Sequence, residues 1–158
     1  MRRTILAGLT LMMLGGGVTL AAAQRPVLRG LPPPPITIDM LQADLIAKTG
    51  SDIVYFAGQG HGLDAAAQAT LAAQARWLLA NPAIRARIEG HADERSPRDY
   101  ALALGERRAD AVRDFLVLQG VPAAQLTIIS WGKERPAIEG ASENALALNR
   151  RVRTVLMP

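Results

Sequence analysis

The sequence predicts an α/β fold of the sandwich type, with two main helices on one face of a mixed four-stranded β-sheet. Two observations lead to this prediction. Strand and helix periodicities alternate after residue 38 in the order β-α-β-α-β-β. The chain has 158 residues and is 49% hydrophobic, which suits one core better than two.

The first 23 residues have the pattern of a secretory signal peptide. Arg2 and Arg3 precede an uncharged apolar stretch that contains three consecutive glycines and closes with three alanines before Gln24. A basic start, an apolar middle and small residues at the end are typical of a cleaved signal. An uncleaved anchor is the alternative, because the stretch approaches the roughly 20 residues that span a bilayer. We therefore expect the protein to be exported.

Charge and cysteine content exclude several classes of function. The formal net charge is +4, but without Arg2 and Arg3 the balance is 16 basic (18 less 2) against 14 acidic residues. An exported chain with so small a charge is expected to meet membrane surfaces and cell-wall polymers, not nucleic acid. The absence of cysteine excludes a disulfide framework, a zinc–thiolate site, a thiol nucleophile and a lipid attached through a cysteine of this sequence.

A proline-rich linker is predicted between the signal peptide and the folded domain. Residues 24–37 contain four consecutive prolines at 32–35, which favour an extended, semi-rigid spacer. The domain itself is expected at 38–158.

The first half of the domain predicts a helix, a strand and a second helix. A helix over 39–48 ends at Gly50, and an apolar strand follows at 53–56. Asp64 is placed to cap the second helix, which stops before Asn81-Pro82.

The second half begins with a strand at 84–90, where Ile84, Ala86 and Ile88 alternate with charged residues. Ser96 and the following proline predict the start of a long helix that ends at Gly120. Strands at 126–131 and 152–156 follow, with a short helix at 143–148 between them.

Arg108 is the most informative residue of the long helix. It lies four residues from both Leu104 and Val112, on the apolar stripe, so its guanidinium is expected to point inward. A buried guanidinium needs a partner, and Asp93, just beyond the preceding strand, is the nearest candidate. Two readings remain open: a structural ion pair, or a split site in which Asp93 attracts an ammonium and Arg108 a carboxylate.

Four blocks of the sequence resemble the OmpA-like domain family. They occur in the family's order and with similar spacing, and within the family they are most similar to the peptidoglycan-associated lipoproteins (the Pal group). The resemblance extends from about residue 44 to residue 156. The blocks are IEGHADER at 88–95, LALGERRA at 102–109, SWGKERP at 130–136 and NRRV at 149–152.

The resemblance implies a non-catalytic module that binds peptidoglycan through the diaminopimelate of the stem peptide. In the family an aspartate and an arginine of these blocks hold the zwitterionic end of diaminopimelate, and the matching positions are Asp93 and Arg108. Leu104 matches a leucine that lines the same pocket. Arg150 borders the last strand and matches a further family arginine, for which a structural role is the alternative. No catalytic residues, metal or cofactor are expected.

The resemblance also implies a location and partners. Pal-type proteins link the outer membrane to the wall from the periplasm, and they join the Tol system through TolB during cell-envelope constriction. The family's Phe-Asp-Phe-Asp segment is replaced here by residues 56–60 (FAGQG), and Ser96 and Ala101 also depart from its pattern. A second hypothesis is therefore an envelope protein-interaction subunit of the same fold that has lost or weakened its hold on the wall.

Overall fold

The computed structural model describes residues 35–158. The signal peptide predicted at 1–23 and most of the linker predicted at 24–37 lie outside these residues. The helices are α1 (Ile38–Thr49), α2 (Ala65–Ala80), α3 (Arg98–Leu118) and α4 (Glu143–Asn149), with a short 3-10 turn at Ala123–Gln125. The strands are β1 (Ile53–Tyr55), β2 (Arg85–His91), β3 (Leu126–Gly132) and β4 (Arg151–Met157).

The four strands form one mixed sheet in the order β1-β4-β2-β3. Strand β4 is antiparallel to both β1 and β2, whereas β2 and β3 run parallel. Helices α2 and α3 cover one face of the sheet, and α1 packs against α2 and β4. The predicted fold class is therefore confirmed. Among residues 35–158, no helix combines the length and the apolar character that crossing a membrane requires.

The alternation predicted for β2 decides which face of the sheet is buried. Ala86 and Ile88 are fully buried under the helices, whereas Arg85 and Arg87 point to the opposite face. This follows from the two-residue period of a strand. The core below the helices is built mainly from aliphatic residues. Its largest fully buried members are Leu45, Leu71, Leu78, Ile88, Leu116 and Val112.

The helix boundaries agree with the sequence prediction except at the start of α3. Asp64 caps α2 by accepting the amide of Ala67 at 2.7 Å. The predicted cap at Ser96 is wrong, because Pro97 occupies the N-cap position and no side chain caps α3. The Ser96 hydroxyl instead lies 3.5 Å from Oε1 of Gln59, and its carbonyl accepts Nζ of Lys133 at 2.8 Å.

Two glycines allow α3 to approach the sheet closely. A Cβ atom on Gly90 of β2 would lie 1.9 Å from the carbonyl oxygen of Gly105, and a Cβ on Gly105 would lie 2.3 Å from Oγ of Ser130. That hydroxyl donates to the carbonyl of Leu102 at 2.6 Å and ties α3 to β3. The close approach places the next turn of α3, which carries Arg108, at the end of β2.

Candidate functional site

Arg108 lies fully buried at the end of β2, as its position on the helix predicts. Its partners are main-chain carbonyls: Nη1 donates to His91 at 2.9 Å, Nη2 to Gly58 at 2.8 Å and Nε to Gly60 at 2.9 Å. The guanidinium carbon also lies 5.2 Å from the centre of the Phe56 ring. Arg108 therefore holds the segment after β1 against the end of β2.

Asp93 is also buried, with 1% of its surface exposed, but it is not a hydrogen-bond partner of Arg108. Its Oδ2 accepts Nη2 of Arg95 at 2.7 Å and Nη1 of Arg150 at 3.3 Å, and its Oδ1 accepts the amide of Arg95 at 3.2 Å. Asp93 and Arg108 therefore do not form the ion pair with each other that the sequence suggested. The acid pairs with two other arginines, while neutral carbonyls satisfy Arg108.

Arg150 connects three parts of this cluster. It donates from Nε to the carbonyl of Phe56 at 3.2 Å, from Nη1 to Asp93 and from Nη2 to Glu143 at 3.2 Å. The amide of Phe56 in turn donates to the carbonyl of Arg150 at 2.8 Å. With only 7% of its surface exposed, Arg150 links the segment after β1 to the acid. This arrangement favours its structural role.

Leu104 lies one turn before Arg108 on α3 and is 2% exposed. It packs with Ala92 and Ala101 in a small apolar cluster that is separate from the main core. The structure therefore brings all four predicted residues to one end of the sheet, with Leu104 beneath the surface.

An open depression adjoins this buried cluster. Its volume is about 620 Å³. It is lined by Gly58, Gln59, Arg95, Ser96, Pro97 and Tyr100. Gly58 accepts a hydrogen bond from Arg108, and Arg95 pairs with Asp93. These two lining residues therefore separate the depression from the two buried charges.

The electrostatics of the site keep both central groups charged at neutral pH. Burial lowers the pKa of Arg108 to about 10, and the nearby charge of Asp93 opposes this shift. Burial alone would raise the pKa of Asp93, but hydrogen bonds from Arg95 and Arg150 lower it below its usual value. A buried anion and a buried cation thus coexist close to an open depression.

Sequence reasoning missed two kinds of participant in this site. Arg108 contacts Gly58 and Gly60 through their main-chain carbonyls, which every residue has. No pattern of residue types could therefore predict these two partners. Arg95 lies two residues after Asp93, and this proximity was the available signal for an ion pair.

Comparison with known proteins places the chain in a family. Residues 55–150 match the OmpA family. The chain is 46% identical over 115 residues to the peptidoglycan-associated lipoprotein of Agrobacterium fabrum, an alignment that covers 73% of the chain and 64% of that relative. The chain thus spans less than two thirds of the relative's length.

Solved structures agree with this match. The crystal structure of the peptidoglycan-associated lipoprotein from Burkholderia pseudomallei superposes with a TM-score of 0.67 at 39% identity, over 68% of this chain and 92% of that one. The C-terminal domain of Helicobacter pylori MotB, at 19% identity, superposes with a TM-score of 0.63 over 68% of this chain and 84% of its own, which shows likeness of fold alone. The chain belongs to the OmpA family.

Proposed function

We propose that this chain is a non-catalytic peptidoglycan-binding module of the cell envelope, and that it holds the diaminopimelate of the stem peptide through Asp93 and Arg108. The observation that carries the proposal is the pair of oppositely charged, fully buried side chains beside an open depression. Support also comes from two relatives named as peptidoglycan-associated lipoproteins, at 46% and 39% identity.

The chemistry of the free end of diaminopimelate matches these two charges. Its terminal carbon carries an ammonium and a carboxylate, so the ligand needs an acceptor and a donor pair a few ångströms apart. Asp93 supplies the acceptor. Arg108 uses three of its five N–H groups on carbonyls, and the remaining two, one on each Nη, suit a carboxylate.

Binding through these groups requires an exchange of internal partners. Arg95 covers Asp93, and the carbonyls of Gly58 and Gly60 occupy Arg108. The ligand's ammonium would replace Arg95, and its carboxylate would reach the two free N–H groups of Arg108 once the segment after β1 moves outward and at least one carbonyl releases the guanidinium. That segment carries none of the acidic residues usual in the family. The hydrogen bonds by which Arg108 holds it therefore end on main-chain carbonyls, and a charged carboxylate competes well with these.

Leu104 and Arg150 would serve this site in different ways. Leu104 would pack on the methylene chain of diaminopimelate once the overlying segment has moved. Arg150 would fix Asp93 and the main chain at Phe56, so it is proposed as a positioning residue.

The same reasoning supplies the cellular setting. A module that holds the wall works outside the cytoplasm, so we propose export to the periplasm with association at the outer membrane. A Tol-system partner such as TolB is proposed from the Pal-type resemblance alone.

Binding to purified sacculi tests the proposal. Wild-type protein should sediment with diaminopimelate-containing sacculi, and Asp93→Asn and Arg108→Gln should each weaken binding about tenfold or more, because each removes a charge-assisted partner. Arg107→Gln is the matched control, since Arg107 is the exposed neighbour of Arg108 on the same helix. Circular dichroism verifies that each variant is folded.

A comparison of two stem peptides sharpens this test. Lysine has the ammonium of diaminopimelate but lacks its terminal carboxylate. A lysine-containing peptide should therefore bind wild type more weakly, and it should lose little further affinity in Arg108→Gln. If wild type stays in solution with sacculi, or if folded Asp93→Asn and Arg108→Gln bind fully, the proposal is overturned. An interaction subunit of the same fold then becomes the better hypothesis.

A further inference from the structure

The face of the sheet opposite the helices is rich in arginine. Strand alternation directs side chains of all four strands to this face, and Arg135 from the segment after β3 joins them. None of them is a lysine. The strands contribute Tyr55, Arg87, His91, Trp131, Arg151 and Arg153 to this face, among others.

Carboxylates satisfy only some of these arginines. Arg87 pairs with Glu89 at 2.7 Å, and Arg153 pairs with Asp52 at 2.9 Å. Within residues 35–158, Arg135 and Arg151 have no carboxylate partner. Arg135 stacks on Trp131 with its guanidinium carbon 3.5 Å from the ring centre, and Nη2 of Arg151 donates to the carbonyl of Arg135 at 3.2 Å. The guanidinium of Arg151 therefore lies against the main chain of Arg135.

The buried side-chain nitrogen and oxygen atoms that lack a hydrogen-bond partner in the described part of the chain all lie on this face. They are Nδ1 and Nε2 of His91, Nε1 of Trp131, Nη1 of Arg151 and Oγ1 of Thr127. The carbonyl of Arg135 favours the protonated His91 ring but completes no hydrogen bond with it. Unpaired buried donors are rare in proteins, so their concentration at one place shows that this face is short of acceptors, although the atoms themselves are closed to solvent.

We propose that this face is a docking surface for an acidic segment of a partner protein, whose carboxylates bind the exposed guanidinium of Arg135, while the buried charge of Arg151 adds to the attraction. Charge complementarity is the basis for this occupant. A planar guanidinium matches a carboxylate with two parallel hydrogen bonds, and a guanidinium already stacked on an indole loses little freedom when it binds.

The composition of the face favours a protein partner over a lipid surface. Arginine, tyrosine, tryptophan and methionine are the residues that protein interfaces enrich, and lysine is depleted there. Tyr55 is 47% exposed and extends the surface beyond the two cations. Ile53, Val155 and Met157 are partly exposed between the charges, and they would contact the apolar side chains of the partner.

This surface is distinct from the proposed peptidoglycan site. His91 marks the boundary: its carbonyl accepts from Arg108 on the helix side, whereas its ring lies on the opposite face. The inference does not depend on the proposed function, because the surface and the Asp93–Arg108 site share only His91, which contributes its main-chain carbonyl to the site and its ring to the surface.

A titration with a defined acidic probe tests the inference. An acetylated hexaglutamate peptide, added to the isotope-labelled protein at low ionic strength, should shift the amide resonances of β3, β4 and residue 135. Arg135→Gln should weaken binding at least about fivefold, because it removes one charge-assisted partner at an exposed position. Trp131→Leu, which removes the ring on which Arg135 stacks, should weaken binding by a smaller factor.

The control separates a site from general attraction to a basic protein. Arg107→Gln makes the same change in net charge on the helix side and should leave the peptide affinity unchanged. Equal losses in Arg107→Gln and Arg135→Gln, or no shifts on β3 and β4, would overturn the proposal. So would binding of inorganic phosphate or of phosphatidylglycerol vesicles without binding of the peptide. Arg135→Gln should still bind sacculi, which would show that the docking surface and the peptidoglycan site can be tested separately.

Discussion

Arg95 and Asp93, two residues apart in one loop, form an ion pair in which Nη2 of Arg95 lies 2.7 Å from the buried Oδ2 of Asp93. The acid is almost completely buried, whereas the Arg95 side chain is 44% exposed. The arginine therefore covers the acid from the solvent side. A ligand ammonium that reaches Asp93 must take the place of this internal cation.

The first prediction concerns the pH dependence of this pair. The pKa of Asp93 is lowered in the folded state, so the folded chain keeps the carboxylate charged at pH values where the unfolded chain protonates it. The resulting stabilisation is present above the ordinary pKa of the acid and is lost as the pH falls through the lowered value. Asp93→Asn should therefore lower the free energy of unfolding more at pH 7 than at pH 3.

Urea unfolding of wild type and Asp93→Asn at the two pH values checks this expectation. Arg95→Gln should raise the pKa of Asp93 toward its ordinary value, which a nuclear magnetic resonance titration of the carboxyl carbon would report. An equal loss of stability at pH 7 and pH 3 in Asp93→Asn would contradict the assigned ion pair.

The second prediction concerns the fork geometry of Arg108. Lysine at this position keeps the positive charge but cannot reach the carbonyls of Gly58, Gly60 and His91 together. Arg108→Lys should lower the free energy of unfolding by about 1–3 kcal/mol, because buried acceptors lose their donors. Hydrogen exchange should also quicken in residues 57–62, which Arg108 holds against β2.

Arg107→Lys serves as the control, since its side chain is exposed one position away. It should change stability by less than about 0.5 kcal/mol and leave exchange in residues 57–62 unaltered. Unchanged exchange in Arg108→Lys would mean that another contact holds this segment.

Periodicity in the sequence was sufficient to predict the secondary structure and the inward direction of Arg108. The alternation around Ala86 and Ile88 identified the buried face of β2, and the four-residue spacing of Leu104, Arg108 and Val112 identified the buried stripe of α3. Both signals depend on side-chain type at a fixed local period, which a single sequence displays.

The partners of Arg108 could not be predicted in the same way. They are carbonyls, which every residue carries, and two of them lie 48 and 50 residues before Arg108. The predicted cap of α3 was wrong for a related reason. The Ser96-Pro97 pattern is a local capping signal, but Ser96 contacts Gln59 and Lys133 from other parts of the chain, and these tertiary contacts override it.

The third prediction concerns His91. Burial, together with the nearby charge of Arg151, lowers its pKa from 6.5 to about 4. Between these values the unfolded chain binds a proton that the folded chain does not, so stability falls as the pH decreases from about 6.5 to about 4. The total loss is at most about 3 kcal/mol. His91→Phe should remove this part of the pH dependence.

Unfolding free energies of wild type and His91→Phe, measured from pH 7.5 to pH 4.5, check the expectation. The difference between the two proteins should grow in favour of the variant as the pH falls. Parallel pH profiles would show that the His91 ring is protonated equally in the folded and unfolded states.

The fourth prediction concerns the contact that places α3 at the end of β2. A methyl group on Gly105 would lie 2.3 Å from Oγ of Ser130 and 3.0 Å from the carbonyl oxygen of Gly90. Gly105→Ala should therefore turn the Ser130 hydroxyl away from the carbonyl of Leu102 and push α3 away from the sheet at Gly90, which displaces Arg108. We expect a loss of about 2–4 kcal/mol in the free energy of unfolding.

Gly62→Ala provides the matched control, because a methyl group there meets no atom within 4 Å and the residue does not have a positive φ. That substitution should leave stability within about 1 kcal/mol of wild type, with a small gain from the reduced entropy of the unfolded chain. Thermal unfolding of wild type, Gly105→Ala and Gly62→Ala under the same conditions checks this prediction. If Gly105→Ala is as stable as Gly62→Ala, α3 can shift without cost, and the position of Arg108 does not depend on this contact.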